Sequence, residues 1–152
     1  MQPRIFPLEY QTDLQDCGPA CLKMVTEYFG KSCTLDFIKE QCHTTDDGTS
    51  IFDMRIAAEN LGLHAIAIKG TMDHLLNDVP LPAIALWRDI HFVVVYMVDD
   101  ECICTCDPAI GCILYTYEEF QKGWYLKDEN KGILLAVEDK ECRFLCKFVD
   151  TS

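Results

Sequence analysis

Three side chains in this sequence have local surroundings that suit thiol catalysis. Cys17 follows Asp16 at the predicted start of a helix, where the backbone dipole favours a thiolate. His91 opens the most apolar predicted strand, and Asp107 ends the neighbouring strand at a turn. If Asp107 accepts a hydrogen bond from Nδ1–H of His91, it holds the ring and stabilises its protonated form. A thiol placed against that imidazole completes a Cys–His–Asp arrangement for nucleophilic catalysis.

The energetics of ionisation explain why a cysteine at a helix start needs a histidine. An ordinary thiol, with a pKa of about 8.5, is only a few per cent ionised at neutral pH. Lowering such a pKa by about 2 units takes about 2.7 kcal/mol, whereas a helix dipole supplies roughly 0.3–1 kcal/mol. A nearby imidazolium can supply the remainder. His91 and Asp107 are therefore necessary parts of the Cys17 hypothesis.

Each of these residues also has an ordinary structural interpretation. Cys17 could be a buried helix cysteine, His91 a hydrogen-bonded residue at a strand end, and Asp107 a turn-forming residue before proline. Gln11 would be a plain loop residue, unless its side-chain amide donates to an oxyanion near the thiolate. The other histidines have surface-like neighbours and are interpreted as structural or solvent-facing: His43, His64 and His74.

The ten cysteines of the 152-residue chain are compatible with disulfides or with reduced thiols. The lack of a signal-like segment and the normal apolar core favour reduced thiols, most of them small buried hydrophobes. Cys21, one turn beyond Cys17, is interpreted as a core residue. Cys102, Cys104 and Cys106 share one face of a predicted strand and leave a metal site open, although zinc sites usually show paired Cys-x2-Cys spacings.

Helical periodicity dominates the first part of the chain. Asp16, Thr34 and Ser50 are predicted N-caps, because their side-chain oxygens can accept from unpaired backbone N–H groups. Gly30 and Gly62 are predicted to end helices. The predicted helices cover about residues 16–29, 35–42 and 51–61, with shorter ones at 71–77 and 117–122.

From residue 90 onwards the pattern is rich in β-branched and aromatic residues, and Ile90–Val98 reads as a strand buried on both faces. Its partner is predicted to pair back through a turn at Asp99 and Asp100, which brings positions 91 and 107 close together. Residues 139–152 are predicted as a last strand or helix. The sequence thus indicates one α+β domain over 1–152, helical in about 1–62 and sheet-rich in about 63–152. The predicted strands cover about residues 64–68, 81–87, 90–98, 101–106, 112–116 and 132–138.

Composition excludes several classes of function. The 25 acidic against 13 basic residues give a net charge of −12, which argues against nucleic-acid binding and leaves no polybasic patch for anionic lipid. A hydrophobic content of 49% is typical of a globular protein. The longest apolar run, at 92–98, is too short to span a bilayer, so we expect a soluble chain.

Several motifs occur in an order that resembles a known family. Gln11 stands six residues before Cys17 in QTDLQDCGPACL, and YFG ends the first predicted helix. DGTSIFDMRIAAENLG, HFVVVY and CDPAIG follow, with Asp107 sixteen residues after His91. Nearly the whole chain resembles the cysteine peptidase domain at the N-terminus of bacterial ABC transporters that process and export bacteriocins and related peptides.

The resemblance implies a papain-like fold, with N-terminal helices packed on a C-terminal antiparallel sheet. It implies that Cys17 is the nucleophile, His91 the general base and then acid, and Asp107 the residue that orients His91. Gln11, with the Cys17 backbone N–H, is implied to form the oxyanion hole. The implied reaction is removal of a leader peptide by a cut after a double-glycine or Gly-Ala type motif, whose small residues fit a narrow cleft.

The resemblance also implies partners and a location. The substrate would be a precursor peptide whose amphipathic helical leader docks on an apolar surface, and the other partners would be the membrane and nucleotide-binding domains of a transporter. The domain would lie on the cytoplasmic side of the bacterial cytoplasmic membrane, with no cofactor of its own and ATP only in the transporter part. The chain itself shows no membrane helix and no GxxxxGK[ST] loop, so it is either an excised domain or a free-standing relative. Two alternatives stay open: a non-catalytic leader-docking domain, and a thiol or metal sensor that uses residues 102–106.

Overall fold

The computed structural model describes residues 6–140, which form one six-stranded antiparallel sheet with helices on both of its faces. A short 3-10 helix, Leu14–Asp16, leads into the first α-helix. The helices are α1 (Cys17–Tyr28), α2 (Leu35–Gln41), α3 (Ile51–Asn60), α4 (Met72–Asn77) and α5 (Tyr117–Trp124). The strands are β1 (Leu63–Gly70), β2 (Ala83–Trp87), β3 (His91–Val98), β4 (Cys102–Asp107), β5 (Gly111–Thr116) and β6 (Gly132–Asp139).

The strands do not lie in chain order. The order across the sheet is β1-β6-β2-β3-β4-β5, so the last strand inserts between the first two. The β2–β3, β3–β4 and β4–β5 pairs are consecutive hairpins, and they build the half of the sheet that carries His91 and Asp107. This half is therefore held together by connections between consecutive strands. By contrast, β1 joins the sheet only through β6, which lies at the end of the described residues.

Each face of the sheet has its own apolar core. On one face α1, α2 and α3 bury residues such as Cys21, Met24 and Met54 against Phe92 and Val94 of β3. On the other face α4 and α5 cover the sheet with a second cluster that is centred on aromatic side chains. This second cluster includes Leu75, Trp87, Phe120 and Trp124. The α+β prediction, with N-terminal helices packed on an antiparallel sheet, is confirmed, and α4 and α5 add a layer on the opposite face.

Most of the predicted helix ends are confirmed by their capping geometry. The Thr34 side chain accepts a hydrogen bond from the Phe37 backbone N–H, and the Ser50 side chain accepts one from the Asp53 backbone N–H. Gly30 and Gly62 follow α1 and α3 with φ of 83° and 90°, the left-handed region that glycine adopts without steric cost.

The predicted capping role of the Asp16 side chain is wrong. The 3-10 helix before α1 gives Asp16 a φ of −92° and a ψ of 5°, rather than the extended conformation of a capping residue. Its fully buried carboxylate instead accepts from the Thr12 hydroxyl at 2.7 Å and pairs with Lys39 Nζ at 3.1 Å. Asp16 thus ties the start of α1 to α2, immediately before Cys17.

The β3–β4 hairpin differs in register from the simple turn predicted at residues 99–100. Val98 pairs with Ile103, and an irregularity between Val95 and Met97 shifts the register by one residue. The Asp99 carboxylate accepts from the N–H groups of residues 101 and 102 and so extends the turn. The buried part of β3 is also shorter than predicted, since full burial is confined to 92–95.

The prediction for the end of the chain, residues 139–152, falls almost entirely outside the described residues. Within residues 6–140 no helix is both long enough and apolar enough to cross a membrane.

Candidate active site

Cys17 is the first residue of α1, as predicted, and its side chain faces the sheet. The residue is 8% exposed, so a small opening connects it with solvent. Cys21, one helical turn further on, is fully buried and donates from its thiol to the Phe92 carbonyl at 3.3 Å. Burial raises the pKa of the Cys21 thiol, and the neighbouring Cys17 raises it further, so Cys21 is a neutral core residue as predicted.

His91 is placed by the tight turn between β2 and β3. Arg88 and Asp89 in this turn have φ of 52° and 67°, and the chain re-enters the sheet with His91 paired to Trp87. The His91 side chain is 22% exposed, and its Nε2 lies 2.7 Å from Oδ1 of Asp107. The same Asp107 oxygen accepts from the Ala109 backbone N–H at 2.8 Å, which holds the carboxylate in place at the start of the next turn.

The structure brings Cys17, His91 and Asp107 together, but through a different ring nitrogen from the one predicted. Asp107 binds Nε2 of His91, not Nδ1. Cys17 also hydrogen-bonds to the ring, and Nδ1 is the nitrogen left for it. Asp107 thus takes one ring nitrogen of His91, and the other remains for Cys17 at the start of α1.

The surroundings of His91 favour its charged form. Burial alone lowers the pKa of His91, but hydrogen bonds and charges from Asp107 and Cys17 outweigh it and raise the pKa to about 9. His91 therefore carries its proton at neutral pH. Because this pKa exceeds the ordinary value of about 6.5, the stabilisation it gives the fold is fully present below that pH and is lost as the pH rises through about 9.

Gln11 lies beside the turn that follows Asp107, but its side-chain amide is not bonded to the Cys17 thiol. Its backbone N–H donates to the Pro108 carbonyl at 2.9 Å, which anchors the N-terminal segment next to Asp107. Its side-chain Nε2 donates to the Asp13 carbonyl at 3.0 Å. Its Oε1 is buried and has no hydrogen-bond partner among residues 6–140. The Gln11 side chain thus bonds to the backbone of residue 13 rather than to the Cys17 thiol.

A cleft of about 150 Å³ is lined in part by Cys17. One wall comes from the loop before α3, including Gly48 and Thr49, and the other from Ile90 and Phe92 at the start of β3. Leu14, Gln15, Asp46 and Asp47 complete the lining. Chemical reasoning on the sequence did not single out this loop, since the only signal for it was its place in the DGTS motif.

The remaining candidates from the sequence lie outside this cluster. His64 pairs with Glu59 at 3.0 Å, and His74 completes a capping box with Thr71. Within residues 6–140, no group of three or more His, Cys, Asp or Glu side chains is arranged to hold a metal ion, so Cys102, Cys104 and Cys106 do not form such a site.

Comparison with known proteins places the chain in a family. The model of the Peptidase C39 family matches residues 5–141. Lactococcin-G-processing and transport ATP-binding protein LagD of Lactococcus lactis subsp. lactis is 40% identical over 136 residues, 86% of this chain and 18% of that protein. Pediocin PA-1 transport/processing ATP-binding protein PedD of Pediococcus acidilactici is 34% identical over 75% of this chain and 17% of that protein. The chain thus spans less than a fifth of the length of these curated relatives.

Two solved structures share the fold closely. A double glycine motif protease from an AMS/PCAT transporter, in complex with the leader peptide, has a TM-score of 0.82 at 28% identity and covers 88% of this chain and 91% of its own. The peptidase domain of Streptococcus ComA, a bi-functional ABC transporter involved in a quorum sensing pathway, has a TM-score of 0.80 at 25% identity over 90% of this chain and all of its own.

Proposed function

The chain belongs to the Peptidase C39 family, and we propose that it is a cysteine endopeptidase that removes the leader from a bacteriocin-like precursor by cutting after a double-glycine type motif. The observation that carries the proposal is the Cys17–His91–Asp107 cluster, whose cysteine lines a cleft of about 150 Å³. The relatives named for bacteriocin processing, and the protease solved with its leader peptide, support this substrate class.

Acylation begins from an ion pair between a Cys17 thiolate and a protonated His91. Because the pKa of His91 is raised to about 9, the ring already carries its proton before substrate binds and acts first as an acid. The thiolate attacks the carbonyl carbon of the last leader residue, and the negative charge moves to the carbonyl oxygen. Backbone N–H groups at the start of α1, together with the Gln11 amide, stabilise this oxyanion. His91 then gives its proton to the leaving amine, and a thioester remains on Cys17.

Deacylation uses His91 in its neutral form. The ring takes a proton from water as the water oxygen attacks the thioester, and collapse of the second oxyanion releases the Cys17 thiolate and the leader acid. The charged ring and the thiolate are thereby restored. Asp107 keeps Nε2 fixed throughout, so that Nδ1 stays directed at Cys17 in both steps.

The same relatives support a proposal for the wider setting. We propose that the domain works on the cytoplasmic side of the bacterial membrane as the peptidase part of a peptide exporter, whose other domains bind ATP. The precursor would dock through an amphipathic helical leader, and the two small residues before the cut would enter the cleft beside Gly48. No observation on the described residues favours a domain that docks leaders without cutting them.

The proposal is tested with a synthetic precursor that carries a helical leader, a Gly-Gly junction and a short mature segment. The reduced chain should cleave it after the second glycine, as shown by the masses of both products. A matched peptide with valine in place of that glycine should be cut roughly tenfold more slowly or worse, because a branched side chain would have to fit between the Gly48–Thr49 loop and the start of β3. An intact Gly-Gly peptide after prolonged incubation would overturn the proposal.

Asp107→Asn should separate the orienting and electrostatic roles of this residue. An amide oxygen can still accept from Nε2–H, but the carboxylate charge that raises the pKa of His91 is lost. In the wild type, kcat/KM is expected to fall on the alkaline side of its pH profile near pH 9. In Asp107→Asn this fall should therefore occur roughly one pH unit lower or more. Asp107→Ala removes both roles and should lose about 10⁴-fold in kcat/KM. A fall that stays in place in Asp107→Asn would show that the charge does not act on His91.

Gln11→Ala should lower kcat by about 10²-fold, because an oxyanion donor acts in the transition state, and should leave KM little changed. In the free protein the amide is bonded to Asp13, so the donor has to turn towards the substrate. Gln41→Ala, on the surface of α2, is the matched control and should retain wild-type kcat. Equal kcat values for the two variants would remove Gln11 from the oxyanion hole.

A further inference from the structure

The β4–β5 hairpin carries a pair of cysteines that the peptidase reaction does not use. Cys106 of β4 and Cys112 of β5 stand directly opposite each other in the antiparallel register. Their Sγ atoms are 2.9 Å apart. Neither thiol belongs to the Cys17–His91–Asp107 cluster, although Cys106 directly precedes Asp107 in the chain.

The backbone around this pair is already arranged as a disulfide requires. Directly opposite residues of antiparallel strands have Cα atoms about 4.5–5.5 Å apart, within the range of about 4.4–6.8 Å that disulfides span. The ladder pairs on both sides, Thr105 with Ile113 and Asp107 with Gly111, are formed, and the Thr105 hydroxyl donates to the Ile113 carbonyl at 2.8 Å. Closing the bond to about 2.05 Å therefore needs a movement of less than about 1 Å between the two sulfurs.

The other neighbouring cysteines are less well placed. Cys102 and Cys104 lie two residues apart on one strand, where a rise of about 3.3 Å per residue puts their Cα atoms near the upper limit for a disulfide. The Cys102 and Cys104 thiols hydrogen-bond to each other along β4. Cys104 pairs across the sheet with Leu114 and Met97, and Cys102 pairs with Thr116, so neither has a thiol opposite it on a neighbouring strand. The 106–112 pair is thus the cross-strand thiol pair of the described hairpin.

The two thiols differ in solvent exposure, so they take different parts in a reaction with a reagent in solution. Cys112 is exposed, whereas Cys106 is fully buried. Burial raises the pKa of the Cys106 thiol well above its ordinary value, and its hydrogen bond with Cys112 raises it further. A reagent in solution therefore meets Cys112 first, and Cys106 lies next to it as the second thiol.

From the opposed thiols and their unequal access, we propose that Cys106 and Cys112 form a reversible disulfide by exchange with low-molecular-weight disulfides of the glutathione class. The Cys112 thiol loses its proton to solvent, and the thiolate attacks one sulfur of the reagent and expels one thiolate, which takes up a proton. Cys106 then gives up its proton and attacks the Cys112 sulfur of this mixed disulfide, which expels the second reagent thiolate. Two protein thiols are oxidised and one reagent disulfide is reduced to two thiols. This modification site goes beyond the proposed peptidase function.

Mass spectrometry of the oxidised chain tests the proposal. The reduced chain is freed of reductant, incubated with excess oxidised glutathione, quenched with acid and alkylated with N-ethylmaleimide under denaturing conditions. Digestion on the N-terminal side of aspartate separates the two cysteines, because Asp107 lies between them. The expected product is the peptide that ends at Cys106, linked by a disulfide to the peptide that begins at Asp107. When the oxidised chain is reduced with dithiothreitol before alkylation, both peptides should return to their fully alkylated forms.

Two serine variants fix the assignment. Cys112→Ser changes an exposed side chain and should reduce the linked peptide to the level of the untreated sample. Cys102→Ser should leave the linked peptide at the wild-type level. The proposal is overturned if Cys112 of the wild type accumulates as a glutathione mixed disulfide, if the link goes to Cys102 or Cys104, or if both peptides remain fully alkylated. Since the readout is a mass, its failure is distinct from a failure of the peptidase proposal.

Discussion

Cys17→Ala is expected to abolish leader cleavage, with a loss of about four to six orders of magnitude in kcat. The thiol supplies the bond-forming atom, and no other cysteine of the described chain can replace it beside His91. The nearest alternative, Cys21, is fully buried, and burial raises the pKa of its thiol. The measurement is product formation from the Gly-Gly precursor under reducing conditions, followed for as long as the protein stays folded.

The matched control for this variant is Cys112→Ser, which removes an exposed thiol outside the Cys17–His91–Asp107 cluster. It should cleave at the wild-type rate. Binding of the leader should be retained by Cys17→Ala, because the substitution removes only the thiol. Cleavage by Cys17→Ala at more than a trace of the wild-type rate would show that another group is the nucleophile.

His91→Ala is expected to have nearly as large an effect, about four orders of magnitude or more in kcat/KM. Two functions are lost together: the positive charge that stabilises a thiolate at Cys17, and the proton that the leaving amine must receive. Loss of the ring therefore removes the main support of the thiolate.

A second readout separates this chemistry from simple damage to the fold. The rate at which iodoacetamide alkylates Cys17 at neutral pH should fall roughly tenfold or more in His91→Ala, because only the thiolate reacts. His64→Ala changes a partly exposed histidine that pairs with Glu59, and it should alter neither cleavage nor alkylation of Cys17. Unchanged alkylation of Cys17 in His91→Ala would contradict the ion pair.

The sequence was most informative where the structure is determined by neighbouring residues. The placement of Cys17 on the first turn of α1, the ends of α1 and α3 at Gly30 and Gly62, and the β3–β4 hairpin all follow from short-range signals, and all are confirmed. His91 and Asp107 come together because the hairpin joins their strands. Their contact could therefore be predicted from a local motif, even though the register differs by a bulge.

Features that depend on distant segments could not be derived in this way. Asp107 pairs with Nε2 of His91 and leaves Nδ1 for Cys17 of α1, which is about seventy residues away in the chain. The Asp16 side chain was assigned to a cap, but Lys39 of α2 offers it an ion pair that no local pattern indicates. The insertion of β6 between β1 and β2 likewise has no short-range signal.

Covalent trapping of the thiol tests the central claim most directly. A leader peptide that ends in a glycyl-glycine chloromethyl ketone places its ketone where the scissile carbonyl would lie, and the adjacent chloromethyl carbon forms a thioether with a thiolate as chloride leaves. The ion pair between Cys17 and His91 predicts one adduct per chain. Fragmentation of the modified peptide should locate this adduct on Cys17. A glycyl-glycine chloromethyl ketone without the leader should give no adduct. An adduct on any other cysteine, or equal labelling of Cys17 and the exposed Cys112, would contradict the ion pair.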